Sequence, residues 1–403
     1  MLDAADPLRD FRERFAMPPG IVYLDGNSLG ALPRSTVGRL KTVIEEQWGT
    51  DLIRSWNRHD WIHLPLTVGA KIARLIGAAA DEVAVTDSTS VNVFRLVLSA
   101  LMLTPGRGEI VSEAGNFPTD LYVCEGAAQV FGRGCRLTVV PRERILDAIG
   151  PQTSVVLLTH VHYKTGDVYP MADITAAVHS RGAHVIWDLS HTAGALPVDL
   201  AAANADFAVG CGYKYLNGGP GAPSFLFVAR RHQAAATNPI SGWFGHADPF
   251  EFQDAYVPAA GIRRFLAGTP SVLANAALES GVDLLLEAGI AEIAAKSQRL
   301  CDLFIDLVER QCAGHGLQLV SPRQANRRGS QVSFAHPNGY EIMQALIARS
   351  VIGDFRAPDT MRFGFTPLYT RFEDVWHAVD RLKAVLESGT WRDARFAVRT
   401  AVT

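Results

Sequence analysis

Residues 183–194, AHVIWDLSHTAG, and residues 205–223, ADFAVGCGYKYLNGGPGAP, decide how this chain is read. Each holds a short apolar run, at 184–188 and 207–210, with the length and residue types of a buried strand. Asp188 closes the first run and Lys214 follows the second. In open parallel sheets, ligands bind outside the carboxyl ends of the strands, so both side chains are expected at one crevice. A buried amine and a buried carboxylate are each costly alone, so their meeting there needs a chemical reason.

Working outward, similar apolar runs occupy 82–86, 109–112, 136–139, 154–159 and 224–228, with helical patterns at 91–103, 120–131 and 171–181. This alternation predicts a mostly parallel sheet, and the continuous VVLLT at 155–159 suits a strand covered on both faces. Past about residue 265 the texture changes to helices at 272–287 and 290–312, a strand at 331–335, a helix at 340–350, strands near 351–355 and 361–365, and a helix at 373–386. Ile290, Ile293, Ala294, Leu300, Cys301, Phe304 and Val308 make a core stripe at helical spacing. The expected fold is α/β, with a large doubly wound, mainly parallel sheet domain and a smaller α+β C-terminal domain. The expected division is an N-terminal segment at 1–30, a large domain at 31–265 and a small domain at 266–403.

Composition narrows the function classes. The 403 residues are 48% hydrophobic and 20% charged, with 38 basic and 41 acidic side chains giving a net charge of −3. That balance argues against a nucleic-acid-binding surface and against disorder. The cysteines at 124, 135, 211, 301 and 312 form no CxxC pair, so no disulfide framework is expected. The first residues, MLDAADPLRDFRERFA, lack the pattern of a signal peptide, and no apolar run is long enough to span a membrane. The expectation is a cytoplasmic protein with no membrane or nucleic-acid partner.

Pyridoxal 5′-phosphate accounts for Asp188 and Lys214 together. The lysine amine condenses with the cofactor aldehyde, and the carboxylate keeps the pyridine nitrogen protonated so that the ring can accept electrons. The alternative is a structural ion pair or an exposed loop lysine, against which the following glycines weigh. A phosphate cradle is expected at TDSTSVNVF, residues 86–94, where Ser88, Thr89 and Ser90 open a helical pattern. An ordinary helix cap would look the same. Phe117, in GNFPTDLYV, precedes a proline and a helix start, and could cover one face of the ring. His59 with His63, and His160 with His162, lack the further ligands of a metal motif, so no metal is expected. The GGPG at 218–221 does not open a helix, which argues against a dinucleotide site.

Four segments together resemble the kynureninase family: YLDGNSLG at 23–30, NFPTD at 116–120, DLSHTAGALPVDL at 188–200 and GYKYLNGGPG at 212–221. The resemblance runs in order along nearly the whole chain. It implies the fold-type-I architecture of pyridoxal-phosphate enzymes, close to the class V aminotransferases, with Lys214 as the Schiff-base lysine and Asp188 as the partner of the ring nitrogen. It further implies that Phe117 stacks on the ring, that Pro118, Thr119 and Asp120 frame the cofactor, and that Thr159 and His191 lie beside it. Thr89 and Ser90 would contact the phosphate, as would Tyr213, which would also share in proton transfer. Trp243 in SGWFGH and Thr269 in LAGTPS would reach the phosphate of a neighbouring subunit, which implies a homodimer with sites at the interface. Thr269 stands where other members can have Asn.

For the substrate, the resemblance implies that Arg362, in TMRFGFTPLY, grips the α-carboxylate with its planar fork. Asn27, Ser28 and Trp56 would line the aromatic end. The implied activity is hydrolysis of L-kynurenine to anthranilate and L-alanine, with 3-hydroxykynurenine as a further substrate, in tryptophan catabolism or NAD biosynthesis. One alternative is a cysteine desulfurase or selenocysteine lyase on the same fold. That chemistry needs a mobile cysteine, and the loop at 322–329 has none. A second alternative is a non-catalytic, regulatory pyridoxal-phosphate-binding protein, which would be expected to have lost Lys214 or Arg362.

Overall fold

The computed structural model describes residues 2–399. Seven strands form the central sheet, in the order Val83–Val85, Phe225–Val228, Phe207–Gly210, His184–Asp188, Thr153–Thr159, Glu109–Glu113, Arg136–Val140. Phe225–Val228 runs antiparallel to both of its neighbours, and the other pairings are parallel.

Strand periodicity sorts the side chains into two cores. Val156, Leu158, Val185, Trp187, Phe225 and Phe227 point to one face, packed with Val68 and Ile72 of helix Leu64–Leu75 and with Leu278 and Val282 of helix Val272–Ala288. Val155, Leu157, Ile186, Leu226 and Val228 point to the other, against Val93, Leu96 and Val97 of helix Thr89–Leu103 and Cys124 and Ala127 of helix Pro118–Phe131. Both faces being covered explains why these strands read as unbroken apolar runs. Thr159 and Asp188 end adjacent parallel strands in register, which brings both to the carboxyl edge.

A third core gathers the stripe of helix Ile290–Gln311 against an antiparallel sheet ordered Asp354–Arg356, Thr360–Gly364, Gln331–Ala335, Gln318–Leu319. The N-terminal residues join this part of the molecule. Val22–Tyr23 pairs in parallel with Val351–Ile352, and Gly364 N–H donates to the Leu24 carbonyl at 2.7 Å. The single strand expected near 351–355 is therefore two. Gly353 breaks it where the backbone passes the Arg362 carbonyl so closely that a Cβ would lie 2.8 Å from that oxygen. The two halves then pair with different partners, 351–352 with the N-terminal segment and 354–356 with 360–364. Among the described residues no helix is long and apolar enough to cross a membrane.

Candidate active site

Lys214 sits in the loop after Phe207–Gly210, at the carboxyl edge of the sheet. Its Nζ donates to His191 Nε2 at 2.9 Å. His191 Nδ1 faces Gln331 Oε1 at 3.1 Å, which places the ring proton on Nδ1 and leaves Nε2 as the acceptor. Burial, then the charges of Lys214 and Arg362, hold the imidazole well below its usual pKa, so it stays neutral. The lysine loop is anchored from the N-terminal segment: Gly30 N–H donates to the Tyr213 carbonyl at 2.8 Å. A side chain at Gly30 would put its Cβ 2.4 Å from the Lys214 carbonyl, so the DGNSLG glycine is required by close approach.

Lys214 and Asp188 open onto one cavity of about 250 Å³, which Phe117, Thr119, Asp120, Thr159 and His191 also line. Asp188 is buried, with Oδ1 accepting from the Ser190 N–H at 2.7 Å. The buried Asp120 faces it, and its carboxyl is pushed well above the usual range by burial first and then by Asp188. Thr159 donates to Asn116 Oδ1, whose amide in turn reaches Ser112. Phe117 is 39% exposed, with its ring centroid 5.8 Å from Lys214 Nζ. Thr89, Ser90 and Tyr213 line this cavity and also a second one of about 370 Å³ that contains Ser88 and Thr269. There helix Thr89–Leu103 begins, capped by the Ser88 side chain. An amine, a buried carboxylate pair, an open aromatic face and a helix N-terminus meet at one place. This is the donor set that pyridoxal phosphate requires, and the residues fit it.

Arg362 is held by neighbouring protein groups. The guanidinium is buried, and its fork is already engaged. Nε donates to Asp354 Oδ1 at 2.8 Å and one terminal nitrogen to Asp354 Oδ2. The same nitrogen reaches Ser28 Oγ at 3.0 Å, and the other reaches the Tyr163 carbonyl at 2.6 Å. The physical reason is the hairpin register, which sets Asp354 opposite Arg362. A buried arginine without a counter-ion would be too costly to keep.

Asp25 lies beside this cluster, with one carboxyl oxygen buried and unpartnered. Burial first, and then the Asp354 charge, push its pKa up to about 7. The folded state thus holds this proton more tightly than the unfolded chain. Stability falls as pH rises above about 4, and the loss is complete above about 7. Asp25→Asn is expected to raise the thermal midpoint at about pH 8, with the gain shrinking toward pH 4. Parallel pH–stability curves for the two proteins would rule out a neutral Asp25.

The other residues singled out from sequence distribute unevenly. Ser28 reaches the arginine cluster. Asn27 is fully buried against Gly364, with neither side-chain polar atom paired among the described residues. Pro118 opens its helix and does not line the cavity. Within one chain Trp56 and Trp243 do not reach the Lys214 cavity. Trp56 packs on Trp61 and Phe244 and lines a separate apolar cavity of about 460 Å³ with Trp48 and Leu273. Trp243 packs edge-on to Phe244 and Phe250.

His160 and His162 turn to different partners, Thr192 and the Gly115 carbonyl. At the far side of the strand, Asp206 gathers His179 and His232 at 2.7 Å and is already paired with Arg231. His184, Asp206 and His232 are spaced as metal ligands could be, but this cation and the Val185 N–H occupy the carboxylate. Gln331, Tyr163, Asp354 and Arg356 were not found from sequence. Their only signal would have been contact across the fold.

The fold and site define the class. The chain has the fold of a cysteine desulfurase from Thermococcus onnurineus, with a TM-score of 0.80 at 18% identity over 94% of this chain and 98% of that one. It also matches a C-DES variant with glycine covalently linked to its PLP cofactor, with a TM-score of 0.82 at 19% identity over 92% of this chain and 98% of that one. This is the fold-type-I architecture of pyridoxal-phosphate enzymes. Residues 293–382 match the profile of the kynureninase C-terminal domain. The chain is 51% identical to a kynureninase of Burkholderia mallei over 407 aligned residues, covering 100% of this chain and 98% of the relative. It is 50% identical to a kynureninase of Pseudomonas fluorescens, with the same coverage. The chain belongs to the kynureninase family.

Proposed function

We infer that this chain hydrolyses L-kynurenine to anthranilate and L-alanine with pyridoxal phosphate as cofactor. The observation that carries the reading is the Lys214 amine and the Asp188 carboxylate opening onto one cavity in a chain of this family. When bound, the cofactor supplies an electron sink for the substrate α-carbon. Lys214 would hold the cofactor and then move the α-proton. Neutral His191 keeps a hydrogen bond on its amine. Asp188 would face the ring nitrogen, Phe117 would cover the ring, and Thr89 and Ser90 would take the phosphate at the helix start. Burial raises the Tyr213 hydroxyl, so it remains a proton donor between the two cavities. Arg362 would anchor the carboxylate end, and Ser28 sits beside it. Water adds across the Cβ–Cγ bond, so the aromatic acyl half leaves as anthranilate and the three-carbon half as alanine.

The working unit is a homodimer in which Trp243 and Thr269 would serve the neighbouring site. Exposed Trp48, Leu52, Ile53 and Leu273 support this, since such a patch marks an interaction surface. The setting is cytoplasmic tryptophan breakdown. Desulfurase chemistry is disfavoured: Cys301 and Cys312 are buried, and burial pushes both thiols up to about 11. The test mixes purified protein, pyridoxal phosphate and L-kynurenine, with 3-hydroxykynurenine in parallel, and follows anthranilate fluorescence. No product from cofactor-loaded protein would overturn the reading.

A further inference from the structure

A guanidinium carries five N–H donors. Arg362 commits four of them, two to Asp354, one to Ser28 and one to the Tyr163 carbonyl. One donor cannot hold both oxygens of an incoming carboxylate. The missing donors lie next door. Arg356 shares the same carboxylate, donating to Asp354 Oδ2 at 2.6 Å. Its other contacts are long: 3.5 Å to Ser28 Oγ and 3.4 Å to the Phe355 carbonyl. Among the described residues its Nε has no hydrogen-bond partner. Its side chain is 37% exposed, whereas that of Arg362 is 2% exposed.

Charge points the same way. Two guanidinium groups share the Asp354 carboxylate, and the neighbouring Asp25, pushed up to about 7, is protonated below that pH, which leaves the cluster net positive. Two like charges held this close are unfavourable unless anions bridge them, and burial followed by the Arg362 charge lowers the Arg356 pKa. One more carboxylate would complete an alternating set of two cations and two anions. Arg356 shares Asp354 with Arg362, and Arg362 donates to the carbonyl of Tyr163, which lines the Lys214 cavity and packs its ring edge-on against Phe117 at 5.4 Å. Arg356 is thus joined to the wall of the Lys214 cavity through Asp354, Arg362 and Tyr163.

We propose that Arg356 is a second carboxylate-binding residue, and that the α-carboxylate of the amino-acid substrate seats between Arg356 and Arg362 with Asp354 as their fixed counter-ion. The proposal rests on the kynurenine reading for the identity of the substrate. It makes Arg356 the residue that selects α-amino acids over the corresponding amines.

The test uses the holoenzyme and the variants Arg356→Met and Arg356→Lys. Arg356→Met is expected to raise KM for L-kynurenine about 10- to 100-fold with kcat changed by less than about 3-fold. L-Alanine binding, titrated through the cofactor spectrum, should weaken by a similar factor. Binding of kynuramine, which lacks the carboxylate, should not change, and Arg356→Lys should recover part of the loss. Unaltered L-alanine affinity in Arg356→Met would overturn the proposal, as would an equal loss for kynuramine. If Arg356→Met fails to fold, the L-alanine against kynuramine comparison in Arg356→Lys decides. Failure of wild-type holoenzyme to release anthranilate would sink the kynurenine reading alone, since L-alanine titration still reports on Arg356.

Discussion

Lys214→Ala is expected to lose anthranilate release by at least about 10³-fold, because on the proposed reading one side chain would both hold the cofactor and move the α-proton. The geometry leaves no substitute. Among the groups that line the cavity, Lys214 carries the amine, and its nearest basic neighbour, His191, is neutral and already accepts from Nζ at 2.9 Å. The protein should still fold, since Lys214 bonds to His191 and packs near Phe117 without being part of either core. The variant should also lose the absorbance of the lysine-linked cofactor. Retention of that absorbance together with turnover would show that another amine does the work.

Asp188→Asn is expected to lower kcat by about 10²-fold or more while the cofactor remains bound. Asp188 is buried, and its Oδ1 is held by the Ser190 N–H, so the carboxylate is aimed before any ligand arrives. Asparagine keeps the shape and removes the charge that would keep the ring nitrogen protonated. The phosphate cradle and Lys214 are untouched, so cofactor content after gel filtration should match the wild type. Asp120→Asn is the internal comparison. Asp120 already holds its proton because of burial and Asp188, so its replacement should cost much less. Equal losses in the two variants would mean that the pair acts as a unit, and that Asp188 has no separate role toward the ring.

Much of this was legible in the linear chain because strand ends are local events. The runs ending at Thr159 and Asp188 announce the carboxyl edge, and the loop after Gly210 delivers Lys214 to it. Phe117 before Pro118 likewise reads as a helix entry, and it stands exposed at the cavity. The substrate end was less legible. Arg362 was found, but its counter-ion was not, because Asp354 opposes it only through hairpin register. Ser28 lies 326 positions from Asp354, and Gln331 lies 140 positions from His191, separations that no local pattern spans.

The sequence by itself determined the alternating architecture, the family and the residues proposed to carry the chemistry, because burial periodicity and strand-end placement are written at short range. Only the tertiary structure decided the neutral tautomer of His191 fixed by Gln331, the splitting of the strand at Gly353 and the sharing of Asp354 by two arginines. These depend on which side chains the packed fold forces together out of water. Hydrogen bonds and charges in such places are set by distance in space, not by distance along the chain.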